Sequence, residues 1–306
     1  MDSSSSFNRI AECRHGRMVF NVNDQWVGRS LELYGEWSQL ELDLLGRFLS
    51  PGQVVVDVGA NYGSHTLDFA QRVGPSGKVL AFEPQRIVFQ ALTASVALNS
   101  LTQVHTHLAA VGARSGKVSM PAVDYAQTAN FGGVQVSGEE GGEPVELVRI
   151  DDLSLAECHL LKADVEGMEE EVLRGAVATL QRAHPVLYLE CDRQDRVESL
   201  LAMVEDLGYR GYWHLAPAYN PGNFRGNPNN VFGRTLAINL LCLPASSEAR
   251  ASSAADHDWV EREAIEIRGE ADLIRVVGRD PATSAGLCKA RRGHSRFFSL
   301  LAPSSA

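Results

Sequence analysis

Residues 54–63 read Val54-Val-Val-Asp57-Val-Gly59-Ala60-Asn61-Tyr62-Gly63. A short β-branched run bounded by glycines is a buried strand delivered straight into a tight turn. A second such run, Lys78-Val-Leu-Ala-Phe-Glu83, follows one helix later and ends in an acid. Strand, glycine turn, helix, strand and acid is the layout of a nucleoside-binding α/β crevice. The glycines let the backbone approach a ligand, and the distal acid takes the ribose hydroxyls. The spacing is Gly59-x-x-x-Gly63, and Asn61 stands where a dinucleotide site needs a second glycine to admit the pyrophosphate. The turn therefore suits a nucleoside without phosphates, of which S-adenosylmethionine (SAM) is the common example.

The rest of the chain continues that rhythm. Beyond the first strand, a helix over 64–73 leads to the strand at 78–83, and a helix over 85–99 leads to a strand over 104–111. Residues 112–157, rich in Gly, Val and Glu, interrupt as short β pieces and loops. Strand 159–165 then opens a helix over 168–182, strand 185–191 opens a helix over 195–207, and strands near 209–215 and 235–243 finish the body. Apolar strands alternating with amphipathic helices predict a mostly parallel sheet covered on both faces. Ahead of this body, residues 18–27 suggest a hairpin turning at Asn23-Asp24, and Ser38 with Glu41 forms a capping box that starts a helix. The expected division is an N-terminal hairpin and capped helix over 1–50, which could act as a lid, a ligand-binding domain over 51–244, and an Ala/Ser-rich linker and tail over 245–306.

Charge narrows the partner. The net charge is −10, and residues 245–306 carry nine basic and nine acidic residues, so the excess lies in the body. An acidic body argues against a nucleic-acid substrate, because neutralising phosphates needs Lys and Arg. The five cysteines are odd in number, scattered and without a CxxC pair. They are expected to be reduced thiols of a cytoplasmic protein. No secretory leader or membrane span is expected.

Four segments together resemble the FkbM family of SAM-dependent methyltransferases: Val56-Asp-Val-Gly-Ala-Asn-Tyr-Gly63, Ala81-Phe-Glu-Pro84, Leu161-Lys-Ala-Asp-Val-Glu-Gly167 with Glu170-Glu-Val-Leu-Arg-Gly-Ala176, and Asn230-Val-Phe-Gly233. The resemblance runs from about residue 15 to about residue 244. It implies a Rossmann-like class I methyltransferase sheet of seven strands, mostly parallel with an antiparallel last strand. It also implies SAM as cofactor and O-methyl transfer to a hydroxyl of a sugar residue, glycan or related natural product. By motif position, Asp57, Gly59 and Gly63 would shape the methionine pocket, with Ala60, Asn61 and Tyr62 in the same turn. Glu83, followed by Pro84, would hold the ribose.

SAM carries an activated methyl group, so the enzyme must align the acceptor oxygen and deal with its proton. Asp164 and Glu166 follow the fourth strand, which is expected to neighbour the first, and ligands of open sheets bind at such strand ends. They are candidates for base and electrostatic partner, although Glu166 alternatively caps the next helix. His214, ending the sixth strand, completes the catalytic candidates. Glu190 and Asp192 are either exposed strand-end charges or acceptor contacts. His65 could stack near the ligand or simply open its helix. His105-x-His107 is a same-face pair without a third ligand, and no metal is expected. The Asn-, Gly- and aromatic-rich loop 216–233, with Tyr34, Glu36 and Trp37, is expected to border the acceptor. Two other functions compete: a nicotinamide-dependent dehydrogenase, disfavoured by the glycine spacing, and a non-catalytic SAM-binding domain. Oligomeric state is not legible.

Overall fold

The computed structural model describes residues 6–136, 142–245, 260, 264–266 and 287–290. Its main sheet grows outward from the strand that meets the glycine turn, β3 (Val54–Val58). On one side lie β4 (Lys78–Phe82) and β5 (Val104–His107), both parallel. On the other lie β9 (Leu160–Ala163) and β10 (Val186–Glu190), also parallel. The last strand of the body, β12 (Leu236–Pro244), inserts antiparallel between β10 and β11 (Tyr209–Pro217). This is the seven-stranded class I arrangement that the resemblance implies, with the antiparallel strand inside the sheet.

The two faces follow from strand alternation. Val55, Leu160 and Val186 point to one side and pack with α2 (Gln39–Leu45) and α3 (Ser64–Val73) through Leu42, Leu45, Phe69 and Val73. Val56, Leu161 and Leu187 point to the other and pack with α5 (Glu169–Arg174), α6 (Val177–Ala183) and α7 (Val197–Asp206). Helix α4 (Arg86–Leu98) sets Leu92 against Ala81 of β4.

Three local expectations are corrected. The hairpin is β1 (Asn8–Cys13) with β2 (Gly16–Asn21), turning at Arg14-His15 instead of at Asn23-Asp24, and α1 (Val27–Tyr34) follows it. Ser38 precedes α2 in a left-handed conformation and makes no side-chain cap; Glu41 turns inward to His65, Oε2 to Nε2 3.4 Å. The single helix expected over 168–182 breaks at Gly175. There a Cβ would lie 2.1 Å from the Gly112 carbonyl oxygen, and Asp151 caps the second half through the N–H groups of Ala178 and Thr179.

The strand expected over 104–111 is two. At Leu108 the chain leaves the main sheet, and β6 (Ala109–Val111) joins β7 (Gly116–Met120) and β8 (Glu143–Val148) in a three-stranded sheet. Residues 246–259, the expected linker, lie outside the described residues. The described part of the tail adds to the body. β14 (Leu287–Lys289) pairs antiparallel with β11, and β13 (Ile265–Glu266) pairs with β14. Val260, Leu287 and Cys288 are buried in the two cores. Burying one such side chain stabilises by about 1.5–3 kcal/mol. A chain ending at Pro244 is therefore expected to melt lower than the full chain or to aggregate along the bared edge of β11. An unchanged melting midpoint would contradict this role for the tail.

Candidate active site

A cavity of about 330 Å³ opens at the carboxyl ends of β3, β4, β9 and β10. Open α/β sheets bind ligands at this end, because the chain reverses there and leaves a crevice. The volume is in the usual range of small-molecule sites.

At one end stands Glu83, only 3% exposed. Its Oε2 accepts the Asn61 N–H at 3.0 Å and its Oε1 accepts the Gln85 N–H at 2.8 Å. Each carboxylate oxygen keeps a further acceptor position. Burial pushes the Glu83 carboxyl up to about 7, against the pull of those two N–H groups and Lys162. Asn61 has φ 50°, a left-handed conformation that Asn tolerates better than most side chains. Gln85 Nε2 donates to the Phe131 carbonyl, tying residues 130–134 down as a wall of this end.

The floor is the glycine turn. Gly59 has φ 77°, and a Cβ there would lie 1.9 Å from the Asp164 carbonyl oxygen, so β3 and β9 touch backbone to backbone beneath the cavity. Lys162, 2% exposed, places Nζ 3.2 Å from the Gly59 carbonyl oxygen, 3.4 Å from Asp57 Oδ1 and 3.6 Å from Asp164 Oδ2. Burial alone would lower its pKa, but Asp57, Asp164 and Glu41 outweigh it and hold Lys162 at about 12, so it is charged. Lys162 also lines the cavity.

One wall is acidic. Asp164, Glu166 and Glu190 bring carboxylate oxygens within 4.8 Å of one another, and Asp192 lies close by. Burial, then the Asp164 and Asp192 charges, push Glu166 up to about 7, although Arg193 Nη2 donates to its Oε2 at 2.9 Å. Burial and the same neighbours push Glu190 well up, and its Oε2 has no hydrogen-bond partner. Such a wall favours a positively charged ligand group, and its donor set is of the kind a hard divalent cation takes. Glu166 does not cap α5. Glu169 does that work, its Oε1 accepting the Val165 and Gly167 N–H groups.

The opposite wall comes from the N-terminal segment and the loop between β11 and β12. Trp26, Trp37, Glu41 and His65 line it, with Pro217, Ala218 and Thr235. Phe232 stacks on Trp26 at 5.4 Å and meets Trp37 edge-on at 6.0 Å. The middle of the loop turns away from the cavity and is stapled to the N-terminal segment. Glu36 accepts from Arg14, Asn220 Nδ2 and the Phe224 N–H, while Tyr34 Oη donates to the Asn229 carbonyl and accepts the Val231 N–H.

The cavity thus gathers Gly59, Ala60, Asn61, Glu83, Pro84, Asp164 and Glu166 from the sequence-predicted residues. The other four lie outside it. Asp57 is fully buried one layer below the turn, accepting Thr66 Oγ1 at 2.6 Å. Tyr62 packs under the N-terminal hairpin with Met18, Phe20 and Leu31. Gly63 ends the turn ahead of α3. His214 is enclosed between β10 and β12, Nδ1 2.7 Å from Tyr188 Oη, and burial lowers its pKa to about 4. A neutral ring outside the cavity corrects the expectation that His214 takes part in the chemistry. Lys162, Glu41, His65 and Trp26 are the wall residues that the candidate list omits. His107 stacks on Phe82 at 4.6 Å. The five cysteines are buried and unpaired, and among the described residues no helix is long and apolar enough to cross a membrane.

The family model for the methyltransferase FkbM domain matches residues 57–210. A protein called methyltransferase 1 from Beauveria bassiana (strain ARSEF 2860) is 29% identical over 143 residues, 40% of this chain and 57% of that one. A ribosomal RNA large subunit methyltransferase E from Sorangium cellulosum (strain So ce56) is 40% identical over 72 residues, 21% of this chain and 34% of that one. Among solved structures, an FkbM methyltransferase from Methylobacillus flagellatus KT aligns at 19% identity with a TM-score of 0.40, covering 63% of this chain and 43% of that one. The chain thus spans between a third and somewhat over half of the length of these curated relatives.

Proposed function

The chain belongs to the FkbM methyltransferase family, and we propose that it transfers a methyl group from SAM to a hydroxyl oxygen of a sugar residue, glycan or related natural product. The observation that carries the donor assignment is Glu83. It is a buried acid at the end of the second strand of the glycine-turn unit, each oxygen fixed by one backbone N–H and open to one more donor. That is the acceptor set that a ribose diol requires. Asn61 in place of a glycine disfavours a pyrophosphate, and so a nicotinamide dinucleotide.

Bound SAM supplies a methyl group already activated on a sulfonium. The chain's own tasks are to hold the two substrates in line, exclude water and take one proton. Gly59, Ala60 and Asn61 border the donor, with Pro84 beside the ribose end. The acidic wall of Asp164, Glu166 and Glu190 suits the sulfonium's positive charge. Asp164 is the proton acceptor. Its side chain is 42% exposed at the cavity wall and is held from below by Lys162. Trp26, Trp37 and the ends of loop 216–235 form the acceptor side, where flat aromatic faces suit a sugar ring or a macrocyclic natural product. Trp37→Ala is expected to raise the acceptor KM about tenfold and leave SAM affinity within twofold, since one aromatic contact contributes on the order of 1 kcal/mol. Equal losses for donor and acceptor in titrations would remove Trp37 from the acceptor side.

The body's acidity supports a small or glycan acceptor over a nucleic acid. Five buried thiols suit a reducing, cytoplasmic setting. Incubation with methyl-labelled SAM and extract of the native host tests the whole proposal. Label on a sugar or natural-product oxygen supports it. Label in RNA, or on nitrogen or carbon, overturns the acceptor assignment and leaves the donor assignment standing.

A further inference from the structure

Helix α3 begins at the cavity without a cap. Gly63 precedes it and offers no side chain, no side chain bonds to its end, and no acid occurs in its first turn. The first backbone bond at this end runs from the Leu67 N–H to the Gly63 carbonyl. The N–H groups of Ser64, His65 and Thr66 therefore have no i−4 acceptor within the helix. An unfilled helix N-terminus favours an anion.

Two side chains make the same point independently. Ser64 and His65 are each 6% exposed, and both line the cavity. Ser64 Oγ is buried with no hydrogen-bond partner. A buried hydroxyl left unpaired is costly, on the order of 1–3 kcal/mol, and is expected to meet a ligand or water. His65 has Glu41 behind it, Nε2 to Oε2 3.4 Å, and Lys162 contributes further positive charge to the same floor. Glu41 reaches this point from α2, outside the strand-and-turn unit, which leaves its burial among His65, His214 and Lys162 without another purpose. An anion slot at one end of the floor, a cation-favouring acidic wall beside it and a diol-binding acid at the other end match the three polar parts of one amino-acid-bearing nucleoside.

We propose that the first turn of α3, with Ser64 and His65, is the subsite for the α-carboxylate of the methionine moiety of SAM, and that Glu41 is a positioning residue that orients His65. The proposal rests on the SAM assignment above. Ser64 Oγ and the ring of His65 donate to the carboxylate, and the open N–H groups of the turn complete the site.

The test uses the full chain and three adenosine thioether or sulfonium probes, with binding as the readout. S-adenosylhomocysteine carries the carboxylate, 5′-methylthioadenosine lacks the whole amino acid, and decarboxylated SAM lacks only the carboxylate. Ser64→Ala and His65→Ala are each expected to weaken S-adenosylhomocysteine about 10- to 100-fold, as loss of charge-assisted hydrogen bonds does. Methylthioadenosine affinity should stay within about twofold. Glu41→Gln should weaken S-adenosylhomocysteine less, about tenfold, again sparing methylthioadenosine. The unmutated protein provides a control that needs no variant to fold: it should bind decarboxylated SAM at least tenfold more weakly than SAM. Variants that lose both thioethers equally would make the residues structural, and the proposal fails. Undiminished S-adenosylhomocysteine binding, or a raised acceptor KM alone, would assign the slot to an acceptor anion and also overturn it. Equal affinity for SAM and its decarboxylated form would do the same. If the unmutated protein binds methylthioadenosine and S-adenosylhomocysteine alike, only the subsite falls; if it binds neither, the SAM assignment falls with it.

Discussion

Asp164→Asn is expected to lower kcat by about 10²–10⁴, the usual contribution of a positioned general base, or roughly 3–5 kcal/mol of barrier. The replacement keeps the shape of the side chain and its place at the end of β9. It removes the negative charge and most of the basicity. A sugar hydroxyl is too weak an acid to ionise first, so its proton must leave as the new oxygen–carbon bond forms. Asp164 is the least buried carboxylate of its wall, and Lys162 3.6 Å away holds it from below. Glu166, by contrast, is engaged by Arg193, and Glu190 is enclosed among other acids. SAM affinity should change less than tenfold, because only a long-range attraction to the sulfonium is lost. His214→Ala should leave kcat near the parent value, since its ring bonds Tyr188 outside the cavity. Normal turnover of Asp164→Asn beside an inactive Glu166→Gln would move the base to Glu166. Activity in both variants would mean that positioning alone drives the transfer and water takes the proton.

Glu36→Ala is the substitution expected to cost most in stability, about 3–5 kcal/mol, as for breaking a buried ion pair. The Glu36 side chain is 4% exposed and accepts three donors: Arg14 Nε at 2.6 Å, Asn220 Nδ2 at 2.7 Å and the Phe224 N–H at 2.8 Å. All three lose their partner together in the alanine variant. Arg14 is 30% exposed and recovers some water, which sets the loss toward the low end of that range. The damage is directional, because Glu36 is where loop 216–235 is fastened to the N-terminal segment. A lower melting temperature is therefore expected together with a raised acceptor KM and nearly unchanged SAM affinity. Glu36→Gln, which keeps an acceptor oxygen, should recover part of both. A melting temperature within a degree of the parent would show that the fastening is redundant.

What the sequence made legible was local or periodic. The run Val54–Gly63 predicts its strand, its turn and its ligand class from neighbouring residues, and Glu83 follows from a fixed separation across one helix. Lys162 was also within reach. A charged residue inside Leu160-Leu161-Lys162-Ala163, an otherwise apolar central strand, is rarely buried without partners, and here the partners are Asp57, Asp164 and the Gly59 carbonyl. His214 was misplaced because β11 runs on to Pro217, so a residue taken for a strand end sits inside the sheet. Asp57 was placed in the pocket by its motif, but alternation along β3 turns its side chain under the turn toward Thr66. The pairing of β14 with β11, and the folding of loop 216–235 onto Glu36, depend on contacts far apart in the chain and leave no periodic trace.

The central claim is that the cavity holds SAM with its ribose on Glu83, and a calorimetric titration of SAM and NAD into the parent and Glu83→Ala addresses it most directly. The parent should bind SAM and not NAD. Glu83→Ala should weaken SAM by about 2–3 kcal/mol, roughly 30- to 150-fold, the cost of losing two hydrogen bonds to a charged acceptor. The pH dependence has a definite sign. The carboxylate form accepts the hydroxyls, and burial sets the Glu83 carboxyl at about 7. SAM affinity should therefore rise with pH through that value in the parent, and that rise should be reduced in Glu83→Ala. Equal SAM affinity in the two proteins, or NAD binding as tight as SAM, would contradict the account.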